Sequence, residues 1–292
     1  MTEQKTDPLL QPHPVTKIEV VREVRNWREY PWWFIALLLI AGLAAFTIQS
    51  RENYREAFIW ILAGLHITIR TSLISYAIAI FLGLLTGLGR ISRNVILNNL
   101  ARLYVELIRG IPMIVLIFFI ALVGVPSVVD GLNSLGFWFE EQGITPLAIL
   151  FTAFTNQSIP MNVRAIVALS VTYGAFLAEI FRAGIQSIGR GQMEAARSVG
   201  MSNGQAMRYV ILPQAIRNVL PALGNDFVAM VKDSSLVSVL AVRDITQVSR
   251  LYAGSTFRFK EAYSSLAFMY LTITVALSLG VQAIERRLRK HV

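Results

Sequence analysis

Beyond residue 31 the chain alternates long apolar runs with short charged stretches, and the lengths of the runs set the first expectation. Pro31–Ile48, Phe58–Leu88, Leu103–Val123, Ala165–Ile185, Leu220–Val242 and Tyr263–Ile284 are each near or above the stretch that crosses a hydrocarbon core, about 20 residues for a helix rising 1.5 Å per residue. Six transmembrane helices are predicted. Trp32 and Trp33 stand at the head of the first run, where amphipathic rings suit a membrane interface. The first part of Phe58–Leu88 can lie along the interface before the chain turns inward. A barrel is excluded, since the ten-residue alternation of apolar and polar positions is missing. In lipid an open sheet also leaves its backbone unsatisfied. No internal repeat is evident.

Composition agrees with this reading. Of 292 residues, 54% are hydrophobic and only 15% charged, against roughly a quarter charged in a soluble domain. There is no cysteine, so no disulfide framework or thiolate metal site is available, and three scattered histidines form no ligand cluster. The net charge of +9 is spread between the apolar runs instead of gathered in one patch, which disfavours nucleic acid as a partner. With both termini inside, the inner segments hold seventeen Lys and Arg and the outer segments six, so cytoplasmic termini are expected. Residues 1–31 read as a charged cytoplasmic tail without the apolar core of a signal peptide. The last outer loop runs against the rule, with Arg243, Arg250, Arg258 and Lys260.

One inner segment is unlike its surroundings. Gly191–Pro221, "GQMEAARSVGMSNGQAMRYVILPQAIRNVLP", is polar and helix-forming between apolar neighbours. Gly191–Val199 can form a short helix that Gly200 ends in the left-handed conformation. Ser202 with Gln205 three positions on is a capping-box pattern, opening a second helix before Pro213 stops the run. Helix, sharp turn, helix is the expected form. The methyl side chains of Ala195 and Ala196 let another protein approach closely, and Glu194 places a charge beside them. On these features alone the commoner form is an amphipathic hairpin resting on the membrane.

The order Glu194-Ala195-Ala196, three residues, Gly200, nine residues, Val210, one residue, Leu212-Pro213 resembles the EAA motif of permease subunits of bacterial ABC importers, with Val210 in place of the usual isoleucine. "GLHITIRTSLIS" (64–75), "YVELIRGIPMIVLIFF" (104–119), "YGAFLAEIFRAGIQSIGRGQMEAARSVG" (173–200) and "LPALGNDFVAMVKDSSLVSVLAV" (220–242) are similar to the permeases of polar amino-acid importers, the His/Gln/Glu/Arg group. The resemblance covers about residues 57–288. It implies an all-α membrane protein of the inner membrane, with a five-helix permease core at 57–288. One extra N-terminal helix and a short outer loop (32–56) precede the core, and a brief tail (289–292) follows it. It further implies cytoplasmic coupling helices within 187–220 and pairing with an identical or paralogous permease. Two ATP-binding subunits that hold ATP and Mg, an external solute-binding protein and an amino-acid substrate complete the expected set of partners. On this reading Glu194, Ala195, Ala196, Gly200, Met201, Leu212 and Pro213 seat on the ATPases. The long outer stretch 125–163, with "FWFEEQ" inside it, departs from the minimal pattern.

Charged residues inside the apolar runs are costly unless they face protein or water. Glu106 with Arg109, and Glu179 with Arg182, are three apart and can share a helix face; they are expected as structural ion pairs or as a gate. Pro112 in "RGIP" breaks the backbone ladder nearby. Lys232-Asp233-Ser234-Ser235 falls midway along an apolar run, and four consecutive polar residues there fit either a pathway lining or a structural kink. Thr172 and Tyr173 are further candidates for the same cavity. His66 and Arg70 share a helix face; Arg70 can simply snorkel to the outer interface, and with the basic last outer loop it leans the substrate expectation weakly toward acidic amino acids. No GxxxxGK[ST], HExxH or GxSxG pattern occurs, so no catalytic residue is expected and ATP hydrolysis is assigned to another chain. The competing class is an ion-coupled secondary transporter using Glu179 and Asp233.

Overall fold

The computed structural model describes residues 32–289; the expected tail 1–31 and the last residues lie outside the described part, as does Pro31. The described residues are helical throughout their ordered elements: α1 (Trp32–Ser50), α2 (Glu52–Leu62), α3 (Leu65–Ile91), α4 (Val95–Gly110), α5 (Met113–Phe119), α6 (Val125–Glu141), α7 (Thr145–Thr152), α8 (Met161–Gln186), α9 (Arg190–Ser198), α10 (Asn203–Ala206), α11 (Leu212–Asp233), α12 (Ile245–Thr256) and α13 (Phe259–Arg289). π turns at Ile120–Gly124 and Met207–Ile211 join α5 to α6 and α10 to α11, and a 3₁₀ segment, Ser234–Leu240, follows α11. The chain divides into two units at Gly42, and α2 to α13 belong to the second.

Helices α3 and α8 form the centre of the second unit. Ser75 Oγ donates to Ile166 O and Ser170 Oγ to Ser75 O, both at 3.3 Å, while further along Gly83 meets Leu177 and Gly87 meets Phe181. Contacts that advance together along both helices mean the two run parallel. A Cβ on Gly83 would lie 2.6 Å from Leu177 Cβ, so glycine is what permits this approach. Small residues are the usual means of bringing membrane helices together, because lipid supplies no hydrophobic drive between them. The main core gathers here, with Tyr76, Ala79, Leu169, Tyr173, Leu177 and Phe181.

Among the described residues, four helical stretches are long and apolar enough to cross a bilayer: Glu52–Ile91, Met113–Glu141, Met161–Gln186 and Phe259–Arg287, with Phe34–Ser50 shorter. Four expectations change. Leu220–Val242 is not among these stretches, because its helix α11 starts at Leu212 and ends at Asp233, where the 3₁₀ segment takes over. The run Leu103–Val123 is broken at Ile111–Pro112, and the apolar helix begins at Met113 and runs on to Glu141. Pro112, without an N–H, sits where the new helix needs no donor. The stretch 125–163, expected as a long outer loop, is a helical hairpin of α6 and α7, whose Phe139 and Phe151 rings stack at 5.6 Å. Pro126 does not stop it, because it falls in the first turn of α6 after the π turn. Pro213, expected to end a helix, is likewise tolerated in the first turn of α11, behind the π turn at Met207–Ile211.

Candidate functional site

Three sites lie on the α3–α8 centre. The first is the interruption after α11. The helix ends at Asp233, the chain tightens into the 3₁₀ segment, and Ala241 takes the left-handed conformation (φ 59°). Tyr173 OH donates to Asp233 Oδ2 at 2.7 Å, joining α8 to the interruption. The neighbours diverge from there. Lys232 is exposed, Ser234 is buried and donates to Val231 O at 2.8 Å, Ser235 is half-buried beside Tyr270, and Thr172 is buried with its hydroxyl unpaired. Tyr173 and Asp233 are thus brought together, and Thr172 and Lys232 are not. Tyr76 on α3, absent from the sequence candidates, donates to Leu223 O on α11 and packs its ring, tilted by 53°, against Phe227 at 5.1 Å. A tyrosine inside an apolar run was its only signal.

The second site gathers on Glu179. Arg182 Nε lies 2.8 Å from Glu179 Oε2 and Arg182 Nη1 donates to Gln186 at 2.5 Å; Arg109 Nη1 is 3.7 Å from Glu179 Oε1, and Arg90 Nη1 is paired with the same oxygen. The pair Glu179–Arg182 is as spaced, whereas Glu106 and Arg109 are not paired with each other. Val105 seats α4 against Ala175 and Ala178 of α8, which carries Arg109 over the Phe176 ring (6.0 Å) toward Glu179. Glu179 is 19% exposed and Glu106 73%, so attraction is stronger at the former, where water screens less. Glu106 keeps only a contact of 4.0 Å with Arg90. Arg90, one of the inner-segment basic residues counted for orientation, is here a structural partner of the half-buried carboxylate of Glu179.

The third site is the polar segment. α9 ends at Ser198, Gly200 just beyond it is left-handed with a φ of +87°, and Met201 N returns to Ala196 O at 3.1 Å. Both arms of the capping box form: Gln205 N to Ser202 Oγ at 3.3 Å and Ser202 N to Gln205 Oε1 at 2.9 Å. Glu194, Ala195, Gly200 and Pro213 are exposed, Met201 and Leu212 half-buried, and Ala196 is 5% exposed. The alanine pair is therefore split, one methyl outward and one packed beneath. Under the segment Ile185, Ile211 and Ala215 form a small core with Leu88, Ile91, Met193 and Met207. The polar segment is fastened to the ends of α3, α8 and α11 together.

No group of three or more metal-binding side chains occurs among the described residues. An apolar helical body, a polar projection bound into its core and charges paired inside the helices define a membrane permease. Residues 79–290 match the family model of the binding-protein-dependent transport system inner membrane component. The chain belongs to this family, as an integral, multi-pass inner-membrane permease of an ABC transporter, a transport component that assembles with ATPase subunits. It is 39% identical over 227 residues to the probable glutamine ABC transporter permease protein GlnM of Bacillus subtilis, covering 78% of this chain and 92% of that one. It is 33% identical over 229 residues to the glutamine transport system permease protein GlnP of Escherichia coli, covering 78% and 93%. A crystal structure of an amino acid ABC transporter with histidines superposes with a TM-score of 0.62 at 33% identity, over 78% of this chain and 94% of that chain. The methionine transporter MetNI shares the fold at a TM-score of 0.59 and 20% identity, over 78% and 96%.

Proposed function

We propose that this chain is one of two permease subunits, identical or paralogous, of an importer for polar amino acids, of the glutamine and histidine kind. An external binding protein delivers the solute, and ATP with Mg is bound by two partner ATPases. The chain crosses the membrane six times, α1 preceding a five-helix core at 57–288, with both termini cytoplasmic. The segment 187–220 is the coupling element, with Glu194, Ala195, Gly200 and Pro213 on its outward side and Ala196, Met201 and Leu212 beneath.

The observation that carries this reading is the shared core of Ile185, Ile211 and Ala215. A push on α9 from a closing ATPase pair reaches α8 and α11 without a flexible joint, and these are the helices that Tyr173 and Asp233 connect. The interruption at Lys232–Ser235, joined to α8 through Tyr173, then lines the pathway, with Thr172 buried next to Tyr173 on α8; the Tyr173–Asp233 bond is made in one state of access and exchanged for a solute ammonium group in another. Glu179, with Arg90, Arg109 and Arg182, braces the inner end as a gate, and Glu106 stands at its rim. An acidic preference draws no support from this lining, because Asp233 and the nearby Asp226 would repel a second carboxylate.

Uptake of labelled glutamine into proteoliposomes holding the chain and its ATPase partner tests the proposal. Uptake that requires trapped ATP and added binding protein, and is indifferent to a protonophore, supports it. Uptake that follows the proton gradient without the ATPase establishes the ion-coupled alternative on Glu179 and Asp233.

A further inference from the structure

The junction of α12 and α13 holds a feature the transport reading leaves unused. Phe257 closes α12 in the left-handed conformation (φ 58°), which a bulky residue adopts only at a cost, and its ring is 79% exposed. Phe259 lies beside it with ring centroids 6.5 Å apart, and Tyr263 stacks on Phe259 at 6.5 Å. All three rings face outward. Beneath them the tip is fixed: Arg258 Nη1 lies 2.6 Å from Glu56 Oε2 on α2 and donates to Tyr252 OH at 3.4 Å. Trp60, exposed one turn beyond Glu56, packs on Tyr252 at 6.1 Å. A strained, rigid and exposed aromatic cluster is the reverse of what folding alone favours.

The length of α13 places it. Arg286 is exposed and lies 27 residues beyond Phe259 on one continuous helix, about 40 Å at about 1.5 Å per residue. A bilayer with its headgroup layers is about 40–45 Å thick. When Arg286 and Arg287 stand among the inner headgroups, Phe259 stands among the outer ones. Aromatic rings with flanking basic side chains are what that depth selects.

We infer that Trp60, Phe257, Phe259 and Tyr263, with Lys260 and Arg258, seat the α12–α13 tip in the headgroup layer of the outer leaflet, the rings at the acyl boundary and Lys260 toward lipid phosphate. This rests on α13 crossing the membrane with Arg286 inside. It also accounts for two of the basic residues that run against the orientation rule: Arg258 is tied to Glu56 and Lys260 serves lipid, so neither draws acidic solutes.

The absence of cysteine from the natural chain permits a direct test by single nitroxide labels at Phe257→Cys, Tyr263→Cys and Thr272→Cys. The permease is placed with its ATPase partner in nanodiscs of phosphatidylethanolamine and phosphatidylglycerol. Broadening by oxygen against a water-soluble nickel chelate reads depth. The expected order is 272 deepest, then 263, then 257 at the boundary, with oxygen the stronger relaxer at all three. A deep label at 272 with one at 257 that nickel alone reaches overturns the inference. So does a label at 257 that is nickel-accessible and becomes immobile only when a solute-binding protein is added, which makes the tip a protein-docking surface. A label at 272 that is not deep overturns the crossing of α13 itself, and the inference with it.

Discussion

Two helical projections leave the α3–α8 centre, and they differ in what they show to their surroundings. The α9–α10 projection is mostly polar outside, with Val199 and Tyr209 exposed among the polar residues, and it seats Met193 and Met207 beneath, on Ile185, Ile211 and Ala215. The α6–α7 hairpin is apolar outside, with Val128, Trp138, Ile149, Leu150 and Phe154 each more than half exposed. One polar cluster lies at its base, where Arg164, 8% exposed, donates to Ala121 O and Ile159 O at 3.2 Å and to Asn156 O at 2.5 Å, and Asn156 bonds Asp130 at 2.7 Å, while Glu140, Glu141 and Gln142 are exposed at its turn. A projection that meets water or a soluble partner hides its apolar side; one that meets lipid or another apolar surface hides its polar side. The two projections differ in that sense along their flanks, mostly polar on α9–α10 and mostly apolar on α6–α7.

Changes to the polar projection should have the largest effect. Gly200→Glu places a charged side chain at a left-handed backbone position, costing about 1–2 kcal/mol locally, and puts that charge on the outward face. ATP-driven uptake is expected to fall by more than about tenfold, as a loss exceeding 1.4 kcal/mol of coupling implies, while the amount of chain in the membrane stays near normal. Immunoblots of membranes beside uptake assays separate the two effects.

At the hairpin the expected effect is on stability. Arg164→Ala strands the buried carbonyls of Ala121 and Ile159, at about 1–3 kcal/mol for a buried polar group left unpaired. Thermal unfolding of the detergent-solubilised protein should shift down, and Arg164→Lys, with one donor group instead of a fork, should recover only part of it.

The contrast also explains what the sequence disclosed. The polar projection carried local signals, a capping box at Ser202 and Gln205 and a glycine at a helix end, and both formed because each depends on residues three or four apart. The hairpin carried no such signal: no side-chain cap opens α6, and Pro126 is accommodated only because a π turn precedes it. The break at Pro112 and the interruption at Asp233–Ser234 were legible from proline chemistry and from polar residues in an apolar run. The partners of Arg109 were not, since its nearest carboxylate in sequence is Glu106 and its partner in space, Glu179, is set by how α4 crosses α8. Arg90 and Tyr76 were hidden for the same reason: their partners are distant in sequence.

Smaller effects lie where α8 meets the interruption after α11 and at the start of α12. Tyr173→Phe removes the bond to Asp233, and interhelical hydrogen bonds in membrane proteins average about 0.6 kcal/mol, so uptake should fall a few-fold with unchanged expression. The smallest concerns Asp244, the N-cap of α12, whose Oδ1 accepts from Gln247 N at 2.9 Å. Burial pushes its carboxyl up to about 6, with its backbone hydrogen bonds opposing. A raised carboxyl binds its proton more tightly folded than unfolded. Stability is therefore highest below the ordinary value of about 3.9 and declines as pH rises toward 6. Asp244→Asn should flatten that decline in thermal melts between those limits.

The central claim, that the polar projection and not the apolar one meets the ATPase, is tested most directly by cross-linking in this cysteine-free chain. Ala195→Cys on α9 and Ile149→Cys on α7 are each paired with a cysteine scan of the ATPase surface in the assembled complex. The account predicts cross-links from 195 that change in yield when ATP is bound, and none from 149. Cross-links from 149, or none from 195 at any ATPase position, would contradict it.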